Sequence, residues 1–224
     1  MSETHAMRDL RDRLILAALP HVPFDGWSRR VLREAAKSLD FDETMGERAF
    51  PGGAVAAIEH LGELADRRMA EAAAAADLAS MRLTERVAWL TRRRIEAWAD
   101  HREAVRRAVT LLSLPTNGAA AMRTTWRTVD AIWFAAGDAS ADFGYYTKRA
   151  GLVAVYTATL LYWLEDESDG FADSWAFMRR RLDEVSSLPK MREAVRQRVG
   201  SLPNPLRFLA EKMPARRHFG VSRR

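Results

Sequence analysis

The amino-acid sequence predicts an all-α protein, a bundle of about nine to ten helices joined by short connections. Apolar residues recur every three or four positions along most of the 224 residues, which is the period of an amphipathic helix. We find no segment with the strict alternation of polar and apolar residues that marks a half-buried strand. Residues 70–76 are alanine at six of seven positions, and alanine has the highest helix propensity of all residues.

The first 50 residues predict a three-helix head. A first helix is expected over residues 8–19, and a turn over residues 20–27. Ser28 has the side chain and the position of an N-cap for a second helix that ends near Leu39. Residues 40–50 leave room for a short third helix before the Pro51-Gly52-Gly53 break.

The remaining helices are predicted from apolar periodicity and from breakers between the segments. Asp142 is the expected N-cap of the most apolar helix. Pro203 and Pro205 should interrupt the helical chain, and a last helix is predicted to begin there. The predicted helices cover residues 53–76, 84–100, 102–114, 116–136, 142–164, 190–199 and 205–213. One more helix is predicted to begin at residue 169 or 173 and to end near residue 187. We therefore expect a head at residues 1–50, a bundle at 51–200, and an amphipathic basic C-terminal segment at 201–224.

The composition and the motifs argue against common catalytic classes. The chain has no cysteine, which excludes disulfides, cysteine-ligated metals and cysteine nucleophiles. It contains neither a Walker loop nor a GxSxG elbow, and its five histidines do not form a H-E-x-x-H pattern. We therefore expect no catalytic residues, no metal and no cofactor. The longest apolar run, residues 151–164, is too short to cross a membrane, and the first residues lack a secretion signal.

The net charge of +5 is concentrated at the C-terminus. Residues 203–224 carry six cations and one acid, so residues 1–202 hold 29 of each sign. Apolar residues of the last predicted helix fall on one stripe flanked by cations, which is typical of a helix lying on an anionic membrane. A terminal helix docked on the bundle is the alternative. The expected membrane residues are Leu202, Leu206, Arg207, Phe208, Leu209, Lys212, Met213, Arg216 and Arg217.

The three-helix head admits two interpretations. Its third helix lies where a helix-turn-helix protein has its DNA-reading helix. However, residues 40–50 contain four acids and one arginine, and such a segment repels the phosphates that supply most DNA affinity. We therefore favour a head retained for packing, with no specific nucleic-acid partner.

Aromatic residues are concentrated between residues 126 and 164, with nine in 39 positions. A central pair of core helices explains part of this pattern. Phe143, Tyr145 and Tyr146 stand beside Lys148 and Arg149 at a predicted helix start, and this combination is typical of a protein-binding hot spot. An apolar bundle of this kind can also enclose a hydrophobic ligand.

Several of these segments resemble one known family. The likeness lies in residues 8–27, in Phe50-Pro51-Gly52-Gly53, in the block at residues 137–149 and in residues 166–177. The chain resembles the ubiquinone-biosynthesis accessory family known as the COQ-nine proteins, over nearly its whole length. Mitochondrial members carry a transit peptide and the first residues here do not, so we expect a bacterial member that is cytoplasmic and peripheral on the inner membrane.

The resemblance implies a TetR-like fold without DNA binding, a homodimer, and a hydrophobic site for isoprenoid lipid. It further implies that the protein is not an enzyme and presents an isoprenoid quinone intermediate to the hydroxylase of the quinone pathway. A TetR-type transcriptional regulator with an apolar ligand is the alternative. The hydroxylase-binding candidates are Trp133, Asp138, Phe143, Tyr145, Tyr146 and Arg149. The candidate lipid-binding residues, with isoprenoid or phospholipid as the bound molecule, are Trp89, Leu112, Met122, Trp126, Leu152 and Tyr156.

Overall fold

A computed structural model describes the backbone of residues 5–138 and 143–200, with side chains for residues 5–138 and 146–187. The chain divides into two compact units, Met1–Leu182 and Asp183–Arg224. The described part of the second unit is helical up to Gly200. The candidate functional site lies within the first unit.

The described residues form ten α-helices and contain no strand, which confirms the predicted all-α class. Three single turns of 3₁₀-helix join some of them. The helices are α1 (His5–Ala18), α2 (Val22–Asp25), α3 (Arg29–Ser38), α4 (Thr44–Ala49), α5 (Gly53–Ala74), α6 (Leu83–Glu96), α7 (Arg102–Leu112), α8 (Gly118–Ala135), α9 (Phe143–Glu165) and α10 (Ala172–Gly200).

The head agrees with the prediction except in its first turn. Ser28 caps α3 as expected, because its hydroxyl accepts a hydrogen bond from the Val31 N–H at 3.3 Å. The segment predicted as a turn contains the short helix α2. Pro23 is compatible with a helix start, where its missing N–H would be unpaired in any case. Gly26, at φ +66°, then ends this helix.

A close approach of α3 and α4 sets the geometry of the head. Gly46 on α4 lies against the backbone of Leu32, and a Cβ atom at position 46 would stand 2.3 Å from the Leu32 carbonyl oxygen. Only glycine fits this contact. The two helices therefore pack backbone to backbone.

The hydrophobic core of the head continues into the bundle. Leu14, Val31 and Phe50 belong to the same buried cluster as Leu61 on α5 and Ala104 on α7. A buried hydrogen bond from the Trp27 indole N–H to the Ala104 carbonyl, at 2.9 Å, adds a polar tie between the head and α7. The predicted division at residue 50 remains a prediction, and one core lies on both sides of it.

Helices from both halves of the chain surround α8. Helix α8 packs against α5, α6, α7 and α9, so it lies at the centre of the bundle. The predicted break between residues 187 and 190 is wrong, because α10 runs without interruption from Ala172 to Gly200. Pro189 therefore lies inside α10, where a proline removes one backbone hydrogen bond and its ring crowds the preceding turn. The predicted cap Asp142 and the predicted last helix at residues 205–213 lie outside the described residues.

Candidate functional site

Four polar side chains from four different helices meet in the interior of the bundle. Arg94 of α6 donates through Nε to Asp66 Oδ1 of α5 at 2.6 Å, and through Nη2 to the Thr128 hydroxyl of α8 at 2.9 Å. Its Nη1 donates to the Tyr156 hydroxyl of α9. All four side chains are buried. We call Asp66, Arg94, Thr128 and Tyr156 the buried polar cluster.

The environment of this cluster shifts the pKa values of Tyr156 and Arg94. Burial raises the pKa of the Tyr156 phenol, against the opposing effect of the neighbouring Arg94 cation. Burial alone would lower the pKa of Arg94, but Tyr156 and Asp66 outweigh it and the pKa is raised. At neutral pH the cluster therefore contains a neutral phenol beside a charged guanidinium. Arg94 and Asp66 satisfy each other, as a buried ion pair requires.

A cavity of about 90 Å³ adjoins the buried polar cluster. Arg94 and Tyr156 form part of its wall, and most of the remaining wall is aliphatic or aromatic. Gly62 permits α5 to approach α8 here, because a Cβ at this position would stand 2.9 Å from Thr124 Cγ2. Half-buried side chains, Val109 and Leu112 of α7 and Leu160 of α9, lie on its outer side.

A second concave region lies between the end of α5 and α6. It is a groove of about 530 Å³ with a wall of alanine and Met69 side chains. The guanidinium of Arg93 stacks 5.3 Å from the centre of the Trp89 ring, and that of Arg68 lies 5.2 Å from the Trp98 ring. This groove is open to solvent and carries two cations supported by aromatic rings.

The structure brings together only some of the predicted lipid-binding residues. Leu112 and Tyr156 line the cavity, whereas Trp89 lines the groove. Leu152 is buried, Trp126 is half-buried, and Met122 is exposed over 61% of its surface. The lipid-binding roles of all six remain predictions.

The predicted hydroxylase-binding residues cluster at the junction of α8 and α9. Lys148 Nζ lies 2.8 Å from Asp138 Oδ1 and 5.7 Å from the centre of the Trp133 ring. Tyr146 is 66% exposed, but Arg149 is only 4% exposed and pairs with Asp130 at 2.7 Å. Burial of Arg149 favours a role in holding this junction together. The side chains of Phe143 and Tyr145 lie outside the described residues.

Phe134 also belongs to this surface, although it was not among the residues predicted from the sequence. Phe134 lies next to Trp133 on α8 and is 82% exposed, which is unusual for a large aromatic side chain. We call Trp133, Phe134, Asp138, Tyr146 and Lys148 the α8–α9 patch.

The head surface carries cations that are already paired. Arg29 and Arg33 of α3 lie 3.5 Å and 3.6 Å from Glu47 of α4, and Lys37 lies 2.9 Å from Glu43. The acidic third helix predicted from the sequence thus stands beside a basic second helix. Phosphates would have to compete with these carboxylates, which weakens the electrostatic attraction of DNA.

The membrane contact predicted from the sequence concerns residues that the structure does not describe. For membrane-spanning helices and metal sites, the structure can be examined in its described residues. The nine expected membrane residues, from Leu202 to Arg217, lie outside the described residues. In the described part of the chain, no helix is long and apolar enough to span a membrane. The same residues contain no group of three or more histidine, aspartate or glutamate side chains that could hold a metal ion.

The helical head formed by α1 to α4 and the helical bundle that follows it define a protein of the TetR-like fold class. A solved structure, the TetR transcriptional regulator from Nitrosomonas europaea, superimposes with a TM-score of 0.65 over 80% of this chain and 98% of the regulator. The sequence identity is 21%, so this likeness shows the fold alone. It confirms the predicted TetR-like fold.

The sequence comparisons are more specific. Residues 118–189 match the COQ9 family model. The mitochondrial ubiquinone biosynthesis protein COQ9 of Drosophila melanogaster is 30% identical over 81% of this chain, and that of Homo sapiens is 31% identical over 80%. The chain belongs to the COQ9 family. It spans about three fifths of these relatives, 57% and 58% of their lengths.

Proposed function

We propose that this protein is a lipid-binding accessory protein of ubiquinone biosynthesis. It binds an isoprenoid quinone intermediate and presents it to a hydroxylase at a membrane surface. A long isoprenoid tail is strongly driven out of water, at about 0.8 kcal/mol for each buried CH₂ group. A carrier that covers part of this surface lowers the barrier to transfer between a membrane and an active site.

One observation carries this proposal: an apolar cavity beside a buried polar cluster, in a chain whose relatives are ubiquinone biosynthesis proteins. The combination suits an amphiphile with a small oxygenated head. The cavity of about 90 Å³ lies below the usual range of about 300–1,000 Å³ for ligand pockets. Most of a long ligand must therefore lie outside it, along the half-buried side chains of α7 and α9.

The α8–α9 patch is the proposed contact with the hydroxylase. Phe134 and Tyr146 expose aromatic surface beside the Lys148 cation, and aromatic residues dominate the energetics of protein interfaces. The buried carboxylate of Asp138 pairs with the Lys148 ammonium group and fixes its position. Arg149 serves this surface indirectly, through its ion pairs with Asp130 and Asp138.

The membrane contact is proposed for the C-terminal segment, which carries the whole charge excess of the chain. Six cations and the apolar stripe from Leu202 to Met213 suit a helix at the surface of an anionic membrane. This assigns the protein to the membrane surface, as a peripheral protein. It binds there without catalysing a reaction of its own.

A homodimer is proposed on the face formed by α9 and α10. Tyr162 stacks on Phe177 with ring centroids 4.9 Å apart, and Leu161 beside them is 49% exposed. Tyr162 is 41% exposed and Phe177 is half-buried, and partly exposed aromatic surface of this kind suits an interface. Sedimentation velocity of the natural protein and of Tyr162→Glu tests this assignment, and a dimer that persists in the variant contradicts it.

The alternative function, a transcriptional regulator, makes a different prediction. The cations of α3 pair with Glu47 of α4 and with Glu43 at its N-cap, which favours the accessory protein because a DNA-binding surface needs free cations. A gel-shift assay at physiological salt distinguishes the two. Specific retardation of genomic DNA fragments would support the regulator.

Native mass spectrometry of the purified protein, followed by extraction and identification of bound lipid, tests the proposed function. We expect an isoprenoid quinone intermediate or a phospholipid in stoichiometric amount. The same protein should bind the quinone-pathway hydroxylase in a pull-down. Protein that is free of lipid, and that takes up no isoprenoid quinone from mixed micelles, would overturn the proposal.

A further inference from the structure

The groove between α5 and α6 holds two arginines that lack a carboxylate partner. Arg68 of α5 and Arg93 of α6 both line it, and neither forms an ion pair or a hydrogen bond with any described residue. Other arginines of the same two helices behave differently. Four of them lie 3.0 Å or less from a carboxylate oxygen, namely Arg67, Arg82, Arg92 and Arg94.

Aromatic rings hold both guanidinium groups in place. The guanidinium of Arg93 lies 5.3 Å from the centre of the Trp89 ring, and that of Arg68 lies 5.2 Å from the Trp98 ring. Arg68 is half-buried and Trp98 is buried, so this cation has lost part of its hydration without gaining a counterion. A guanidinium stacked on a ring keeps the N–H donors at its edge, and these fit a carboxylate in a bidentate way.

The shape of the groove matches a helix. Helices α5 and α6 pack against each other and a short connection joins them, so they form a helical hairpin. The groove extends along this hairpin from Arg68 to the C-cap of α5, a rise of about 10 Å, or nearly two helical turns. Small side chains let a third helix approach closely and leave room for its larger ones. The walls carry alanine at four positions, Ala72, Ala75, Ala76 and Ala97.

The charge of the groove selects an acidic occupant. Glu96 also lines it, but Glu96 pairs with Arg92 at 3.0 Å, so these two residues add no net charge. Arg68 and Arg93 leave the groove with an excess of positive charge. A helix with an apolar face and with aspartate or glutamate on its flanks complements both the alanine walls and the two arginines.

Other occupants fit this groove less well. The C-terminal segment of the chain carries a positive excess, and helix α4 of a second copy has its carboxylates engaged by α3. A membrane surface is bound by large exposed apolar side chains, and none of those on the described residues lines the groove. Small ligands are usually enclosed over most of their surface, whereas this groove is open to solvent.

We propose that the groove between α5 and α6 binds an acidic amphipathic helix of a partner protein. Leucine-sized side chains of that helix lie over the alanines, and its carboxylates pair with Arg68 and Arg93. The groove shares no residue with the α8–α9 patch. This contact is therefore separate from the proposed hydroxylase contact, and it does not depend on the proposed function.

The test uses three synthetic helical peptides of about 18 residues, long enough to form a helix in solution. All have leucine on one face, and the other face carries glutamate, glutamine or lysine. Fluorescence anisotropy measures their binding to the full-length protein. We expect the glutamate peptide to bind, the glutamine peptide to bind about tenfold more weakly, and the lysine peptide not to bind.

Charge variants measure the contribution of each arginine. Arg68→Gln and Arg93→Gln should each weaken binding of the glutamate peptide about threefold to fivefold, as expected for one ion pair at the edge of an interface. Neither should change binding of the glutamine peptide more than about twofold. Arg13→Gln is the matched control, because Arg13 is exposed and lies 5.4 Å from the Phe41 ring in the head. It removes the same charge and the same kind of stacking, and should change nothing.

A second pair of variants tests the position of the peptide without changing charge. Ala72→Phe fills the groove and should abolish binding of the glutamate peptide. Ala70→Phe, at an exposed position of α5 outside the groove, is its control and should leave binding intact. Thermal melts verify that the variants fold. If Ala72→Phe does not fold, Arg93→Gln decides the question, since Arg93 is exposed.

Three results would overturn this inference. The first is a glutamate peptide that does not bind, or that binds no better than the lysine peptide. The second is binding that persists unchanged in the Arg68→Gln, Arg93→Gln double variant. The third is a double variant that loses flotation with anionic vesicles while its peptide binding stays the same, which would assign the two cations to a membrane. Lipid binding by the cavity is unaffected by all three.

Discussion

Arg94 Nε donates to Asp66 Oδ1 at 2.6 Å, and this ion pair is buried between α5 and α6. A buried pair gains little over an apolar substitute, because both charges lose their hydration. The ion pair matters here because it positions the Arg94 guanidinium in the wall of the cavity. Arg94 in turn donates a hydrogen bond to the Tyr156 hydroxyl, which belongs to the same wall. The pair thus connects the stability of the bundle to the polarity of the candidate site.

Breaking this pair should destabilise the protein strongly. Asp66→Asn leaves the Arg94 charge buried without its counterion, which typically costs about 3–5 kcal/mol. Urea unfolding followed by circular dichroism measures the loss. Glu85→Gln is the control, because the Arg82–Glu85 pair is largely exposed and is worth about 1 kcal/mol or less. An Asp66→Asn variant as stable as this control would contradict the assigned role of the pair.

We expect the N-terminus of α10 to give the protein a specific acid sensitivity. Asp166 accepts hydrogen bonds from the backbone N–H groups of Ser168 and Ser174, each at 2.8 Å, and from the Ser174 hydroxyl. Burial acts to raise the pKa of Asp166, but these hydrogen bonds outweigh it and lower the pKa to about 2. A lowered pKa in the folded state means that ionised Asp166 contributes stability at neutral pH.

This contribution should disappear over a defined pH range. It is complete above the pKa of the unfolded state, about 3.9, and is lost as the pH falls towards the folded value of about 2. We expect the natural protein and Asp166→Asn to differ in unfolding free energy at pH 6 and to converge between about pH 4 and pH 2. A constant difference across this range would show that Asp166 does not cause the acid sensitivity.

Enlarging the outer side of the cavity should favour ligand binding at the expense of stability. Leu112→Ala removes three carbon atoms from a half-buried position, so we expect a loss of about 1–2 kcal/mol, below the usual 2–5 kcal/mol for a fully buried leucine. The same variant should bind decyl-benzoquinone more tightly, as measured by quenching of tryptophan fluorescence. Leu114→Ala, an exposed neighbour beyond the end of α7, should change neither quantity.

Variants of the α8–α9 patch and of the neighbouring Arg149 should distinguish residues that bind the hydroxylase from residues that stabilise the fold. Phe134→Ala and Tyr146→Ala truncate exposed side chains, so they should weaken hydroxylase binding by about 2 kcal/mol each and leave the melting temperature unchanged. Arg149→Ala breaks buried ion pairs and should lower the melting temperature as well. Surface plasmon resonance and thermal melts on the same samples measure both effects. Full hydroxylase affinity in the Phe134→Ala, Tyr146→Ala double variant would remove the patch from the proposal.

The C-terminal segment should bind membranes through charge and through burial, and two manipulations separate these contributions. Raising the salt concentration to 1 M shortens the Debye length from about 8 Å to about 3 Å, so binding to anionic vesicles should weaken. Leu206→Asp with Leu209→Asp keeps every cation and removes the apolar stripe, so it should abolish insertion. Vesicle flotation with anionic and with neutral lipids measures both. Undiminished flotation of the double variant would exclude this segment as the membrane contact.

Local signals allowed most of the fold to be predicted from the sequence. The Ser28 cap and the glycine and proline breaks before α5 correctly placed the ends of helices, because capping and backbone restrictions act within a few residues. The same reasoning failed at Pro189, where it placed a break inside α10. Proline limits its own backbone and that of its neighbour, but it leaves the outcome to the surrounding sequence.

The candidate site was less predictable, because its residues come from distant parts of the chain. Tyr156 and Leu112 were identified as candidates, but nothing in the sequence joined them to Asp66 or Arg94. Arg94 follows two other arginines in the sequence, which is typical of the solvent-exposed face of a helix. Only the packing of α5, α6, α8 and α9 turns it inward. The unpaired indole N–H groups of Trp98 and Trp163 could be recognised only once the structure showed that these atoms are buried.

The small volume of the cavity has a consequence for how a ligand is released. A space of about 90 Å³ can hold only the end of a long molecule, so the rest of the chain stays accessible to a membrane or to a second protein while the end is still bound. An acceptor can therefore engage the free part first and withdraw the bound end afterwards. In the proposed function, each side chain at the outer side of the cavity then adds to the barrier for the last step, so the dwell time of the ligand can be tuned without changing how fast it is captured.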